Sequence, residues 1–170
     1  MCMAKTDTFF IRASTTFNGT TFAQTSVDLG SYVDALGKSV LRVHSASVAW
    51  GDPLDNFGGL GATADAVNAY QLTTQSQAAM VNLTDKSVIA SGRLYAASGA
   101  AGETTVVTER LDIAPQMFSK GYLVGVEQIY LGVDSTSATA MNINSCTIVL
   151  ECTVETLSQS AAMALALSQQ

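Results

Sequence analysis

Residues 145–155 alternate in a way that suits only one kind of backbone. Ile148, Leu150, Cys152 and Val154 fall on one side. Thr147, Glu151, Thr153 and Glu155 fall on the other, with Val149 the one apolar residue of that second set. A β-strand points successive side chains to opposite faces, so this run reads as a strand with one face in a core and one in water. The same period recurs upstream. Residues 8–16 set Phe9, Ile11 and Ala13 against Thr8, Arg12 and Ser14. Residues 39–50 change phase midway: Leu41 and Val43 point one way, Val48 and Trp50 the other. One extra residue in a strand has that effect, so the pattern predicts a bulge near Ser45.

Residues 21–29, 67–74, 87–97, 104–113 and 122–133 complete a set of eight candidate strands. Residues 122–133 are rich in Val, Ile, Tyr and Leu, with Gly121, Gly132 and Asp134 punctuating the ends. Between the strands lie turn-rich pieces, the strongest being residues 51–61, Gly-Asp-Pro-Leu-Asp-Asn-Phe-Gly-Gly-Leu-Gly. Residues 71–83 hold enough Gln, Ala and Met for a short helix instead of strand and loop, and residues 31–36 suit one helical turn. The last stretch, residues 157–170, is rich in Ala, Leu and Gln, with Ser158 placed to cap a helix. Leu157, Ala161 and Leu165 share one face of it, as do Met163 and Leu167. A helix this short is marginal alone in water, so it should dock on its own domain, on a second copy or on lipid. Its lack of Lys and Arg argues against lipid. One domain is expected: a β-sandwich over residues 1–155, and an uncharged helix or tail over residues 156–170 that serves as an assembly contact.

Charge then narrows the function. Only 13% of the 170 residues are charged while 48% are hydrophobic; a soluble domain usually carries about 25% charged residues. A surface so poor in charge tends to stick, most simply to copies of itself. Residues 66–84, 135–150 and 156–170 contain no charge at all. The first and last of these are long and polar for one small core, so they are expected at subunit contacts, the tail foremost. Trp50 and Phe57 are expected to anchor the core or an interface, and they join Leu157, Ala161, Met163, Leu165 and Leu167 as candidate contact residues. The net charge of -6 and the scattered Lys and Arg residues argue against a sequence-independent grip on nucleic acid.

No motif for chemistry stands out. His44 is the only histidine, and the chain has no Gly-x-Ser-x-Gly elbow to accompany it. Asp52, Asp55 and Asn56 offer oxygen ligands in a loop but read as ordinary turn residues. Gly58, Gly59 and Gly61 lack the Lys-Ser/Thr of a phosphate loop. Cys2, Cys146 and Cys152 lack the close pairing of a zinc site. In one strand Cys146 and Cys152 would stand about 20 Å apart, too far for a disulfide, and free thiols suit a reducing compartment. The start of the chain has no secretory-signal pattern, and no run is apolar for the roughly 20 residues of a membrane span. Neither enzyme, cofactor nor metal is expected.

The strand series ending in residues 122–133 and 147–155, the turn-rich insertion at residues 51–61 and the low-charge Ser/Thr/Ala surface together resemble a single jelly-roll capsid protein of a small icosahedral virus. The resemblance covers most of the chain at the level of pattern. It implies an all-β fold, an eight-stranded antiparallel jelly-roll sandwich with a short C-terminal helix. It implies a structural subunit that self-assembles into a closed icosahedral shell, made in the host cytoplasm and found in the virion. Many coats of this kind carry an Arg/Lys-rich arm that binds the genome. Here the first 37 residues hold only Lys5 and Arg12. The resemblance therefore leans toward prokaryotic viruses with an internal membrane, with no direct nucleic-acid binding. Its implied partners are copies of the chain itself, a second capsid or penton protein, and that membrane. The competing readings are a carbohydrate-binding or adhesive β-sandwich and a filament or surface-layer subunit.

Overall fold

A computed structural model describes residues 6–17, 20–34, 38–51, 66–98, 104–107, 116–136 and 145–170. Among them run nine strands: β1 (Phe9–Thr16), β2 (Ala23–Asp28), β3 (Ser39–Gly51), β4 (Ala66–Thr73), β5 (Val88–Ser98), β6 (Thr104–Val107), β7 (Gln116–Val124), β8 (Gln128–Ser135) and β9 (Ser145–Thr156). One helix, α1 (Gln159–Ser168), follows. The pairings nest. β1 pairs with β9, β2 with β8, β3 with β7 and β4 with β5, all antiparallel. A chain paired in this way is one long hairpin. Rolled into two layers, it sets β9 beside β3 and β8 beside β4. The sheets then read β1-β9-β3-β7 and β2-β8-β4-β5-β6, with β6 an added edge strand. The fold is a jelly roll.

The apolar faces of the two sheets make the core. Leu41, Val43 and Ala46 of β3 and Cys146, Ile148, Leu150 and Cys152 of β9 are buried with Tyr70, Leu72, Ile129, Leu131 and Val133 of the second sheet. Burying a Leu, Ile or Val side chain is worth about 1.5–3 kcal/mol, so this set is the main stabilising term. The phase change in β3 is met as the alternation requires. Val43 pairs with Cys152 and Ser45 with Glu151, leaving His44 as the extra residue of a bulge. Without it, Val48 and Trp50 would face water.

Several elements depart from the sequence pattern. Residues 122–133 are two strands, not one: β7 ends at Val124 and β8 begins at Gln128. The intervening turn carries no Asn-Gly or Pro signal, because distant groups hold it. Gly125 N–H donates to the Gln169 side chain, and Glu127 C=O accepts from Leu29 N–H. Gly121 is no strand boundary but sits inside β7 at φ 74°, where a Cβ would lie 2.5 Å from Arg42 Cγ. Residues 74–87 form no helix; they cross as a loop from β4 to β5. The expected helical turn near residue 31 begins earlier, with Leu29 C=O accepting from Tyr32 and Val33. Of residues 104–113, β6 takes the first four, and residues 108–113 lie outside the described ones. So do Phe57, most of the 51–61 insertion and Cys2.

Cys146 and Cys152 are buried free thiols on the inner face of β9. Burial pushes both up to about 12 from an ordinary value of 9, Glu151 adding to the effect at Cys152. A raised thiol pKa contributes stability that is fully present below pH 9 and is lost as the pH climbs toward 12. The wild type should therefore lose its urea-unfolding advantage over C146A/C152A across that window. A gap that stays constant from pH 8 to 12 would show that the thiols do not ionise against burial.

Candidate assembly surfaces and the cleft on the second sheet

The tail forms the expected helix and takes the expected cap, with Ser158 Oγ accepting from Ala161 N–H. It docks on its own domain. Ala162 and Ala166 are buried, and Gly125 is what lets them approach: a methyl there would meet Leu165 carbons at 3.1 Å and Ala166 N at 3.2 Å. Gln169 fastens the end. Its Nε2 donates to Leu123 C=O at 2.7 Å and its Oε1 accepts from Gly125 N–H at 2.8 Å. Its own carbonyl accepts from Thr74 Oγ1 and Gln75 Nε2. One residue thus ties the helix to the β7–β8 turn and to the start of the β4–β5 loop.

Docking divides the candidate contact residues. Leu157 and Leu165 are half-buried, while Ala161, Met163 and Leu167 face out, Met163 with 45% and Leu167 with 70% of its surface exposed. Trp50 is half-buried. It packs on the core, edge-on to Phe17 at 6.3 Å and to Tyr70 at 6.2 Å. Phe57 lies outside the described residues.

The uncharged stretch at residues 66–84 divides: its first part turns inward, though polar, while Ser76, Ala78, Ala79 and Asn82 to Thr84 are exposed. β4 lies between β8 and β5, and Asn68, Gln71, Thr73 and Thr74 are buried. Gln71 Nε2 donates to Ala79 C=O and its Oε1 accepts from Val81 N–H, so its amide pins the loop over the sheet as a peptide group would. Gln24 adds a second pin through Ser76 Oγ and Gln77 N–H. Sequence reasoning missed Gln71, Gln169 and Gly125. Gln169 and Gly125 meet across 44 positions of the chain, and Gln71 reaches over a loop 8 to 10 residues on, so none shows its role in its immediate neighbours.

On the outer face of the first sheet, the bulge gathers polar groups. Arg42 Nε and Nη2 make a forked pair with Glu155 at 2.7 Å each, and Nη1 donates to Lys120 C=O. The Glu155 carboxylate holds the Arg42 guanidinium above its ordinary pKa. His44 Nε2 bonds Thr153 Oγ1 at 2.9 Å, and Ser45 Oγ donates to Glu151 Oε2 at 3.1 Å. His44 and Ser45 are therefore each engaged elsewhere and do not form a base–nucleophile pair with one another. Among the described residues no three His, Cys, Asp or Glu cluster to hold a metal, and no helix is long and apolar enough to cross a membrane.

The second sheet carries a cleft of about 540 Å³ on its outer face. Arg93, Ala69 and Asp134 stand in one row across β5, β4 and β8. Val67 and Ala69 line the floor, and Met80 to Leu83 of the pinned loop form a wall.

No protein-family model matches the chain, and no curated protein does. Solved structures overlap it loosely. The VP1 pentamer of Washington University polyomavirus is 8% identical with a TM-score of 0.47, over 87% of this chain and 94% of that one. Desmodium yellow mottle tymovirus is 9% identical with a TM-score of 0.38, over 92% and 89%. Turnip yellow mosaic virus is 14% identical with a TM-score of 0.35, over 93% and 82%. These neighbours are viral capsid proteins; the assignment of the fold here rests on the strand order itself.

The Gln169 clamp has a measurable consequence. Gln169→Ala leaves Leu123 C=O and Gly125 N–H without partners, at a cost of about 2 kcal/mol. Hydrogen exchange at Gly125 should accelerate in the variant. Unchanged protection there would mean that the helix does not hold the turn.

Proposed function

We propose that this chain is the structural subunit of a viral shell, packing against copies of itself into a closed icosahedral particle. What carries the reading is the outward face of α1. Ser160, Met163, Ala164 and Leu167 form an exposed stripe without charge, on a helix already held rigidly by Gln169. A rigid apolar stripe costs little entropy to bury, which favours it as a contact. The charge deficit of the whole chain supports the same reading, as do buried thiols of the kind kept reduced in a host cytoplasm. With 14 acidic and 8 basic residues, the chain leaves genome retention to another component. In this reading an internal membrane lies beneath the shell, and a second capsid or penton protein fills its special vertices.

The stripe is tested by M163E/L167E. Both positions face water in the isolated subunit, so the fold should be kept. Two unpaired carboxylates buried at a contact should raise the concentration needed for assembly by at least about tenfold, read by light scattering. Wild-type assembly by this variant would remove the helix from the contact.

A further inference from the structure

The geometry points to the cleft on the second sheet as a binding site for a short extended peptide segment that carries an apolar residue between an acidic and a basic one. The inference is independent of the shell reading. Its basis is the row Arg93–Ala69–Asp134. Two strand spacings separate the charged residues, so their Cα atoms are about 10 Å apart, with only a methyl group between them. The charges are opposite in sign. Among the described residues neither forms an ion pair with another side chain; Asp134 Oδ1 accepts only from the neighbouring Ser135 N–H.

Charge pattern and shape together select the occupant. A guanidinium at one end calls for a carboxylate, and a carboxylate at the other calls for an ammonium or guanidinium. Between them, Val67 and Ala69 with Val81 and Leu83 offer an apolar saddle. The cleft is open along its rim, where Leu83 is 69% exposed and Arg93 is exposed. An open saddle flanked by opposite charges fits an extended chain laid across the strands. In such a chain, residues i, i+2 and i+4 face the same side and span about 13 Å. The wall is preformed, because the two bonds from Gln71 fix the loop at Ala79 and Val81. Little ordering cost remains for binding.

The probe is acetyl-Glu-Ser-Leu-Ser-Lys-amide, titrated into isotopically labelled full-length protein and followed by amide shifts. Shifts should concentrate on Val67 to Ala69, Val81 to Leu83 and Gly92 to Arg93. Replacing both charged residues by Glu, or both by Lys, should weaken binding at least about tenfold, as should Leu→Gly in the peptide. Arg93→Gln and Asp134→Asn should each produce a similar loss; Asn keeps the acceptor for Ser135 N–H, so its fold is protected. Ala69→Phe fills the saddle without touching either charge and should abolish binding. Absence of shifts at millimolar peptide, an equal response to all the peptides, or binding that survives Ala69→Phe would overturn the proposal. Particle formation is read separately, so neither result decides the other.

Discussion

The ladder between β3 and β9 is the constraint on which everything else hangs. Twelve residue pairs, from Ser39–Thr156 to Gly51–Ser145, join segments about ninety or more positions apart in the chain. Both strands are interior to their sheet, and their inner faces supply much of the core. The outer side of the same ladder is stitched by Arg42–Glu155, His44–Thr153 and Ser45–Glu151. A slip of one residue would turn Glu151, Thr153 and Glu155 inward and Ile148, Leu150 and Cys152 outward, so the register is fixed from both faces. The bulge at His44 keeps both halves of β3 in that register.

Much of this was legible from local pattern. Alternation located β1, β3 and β9. The phase change in residues 39–50 located the bulge, and Ser158 marked the start of the helix. Local pattern failed where the deciding partner lies far away. The turn at Gly125 is held by Gln169, 44 positions on, and a lone glycine is its one mark within residues 122–133. Trp50 was read as an anchor of the core or of an interface because nothing local separates the two. Its neighbours are Phe17, just past the end of β1, and Tyr70 of β4.

The scarcity of charge acquires two physical meanings. Part of it is internal: uncharged amides and hydroxyls at Gln24, Gln71, Thr74 and Gln169 bond loops and helix to the sheets. Such groups can be buried when every bond is made, whereas a buried charge would need a partner as close as the one Arg42 finds in Glu155. The rest is external, in the outward stripe of α1. The helix packs on the domain by one side and, in the proposed reading, offers the other as a contact. Its inner face is built from Ala162, Ala166 and Gln169, its outer face from Met163 and Leu167.

An electron micrograph of the purified full-length protein, taken across a range of concentrations, bears most directly on the claim that this surface serves a shell. The account predicts closed particles of uniform diameter at high concentration. Single subunits at every concentration, or open fibres and sheets, would contradict it.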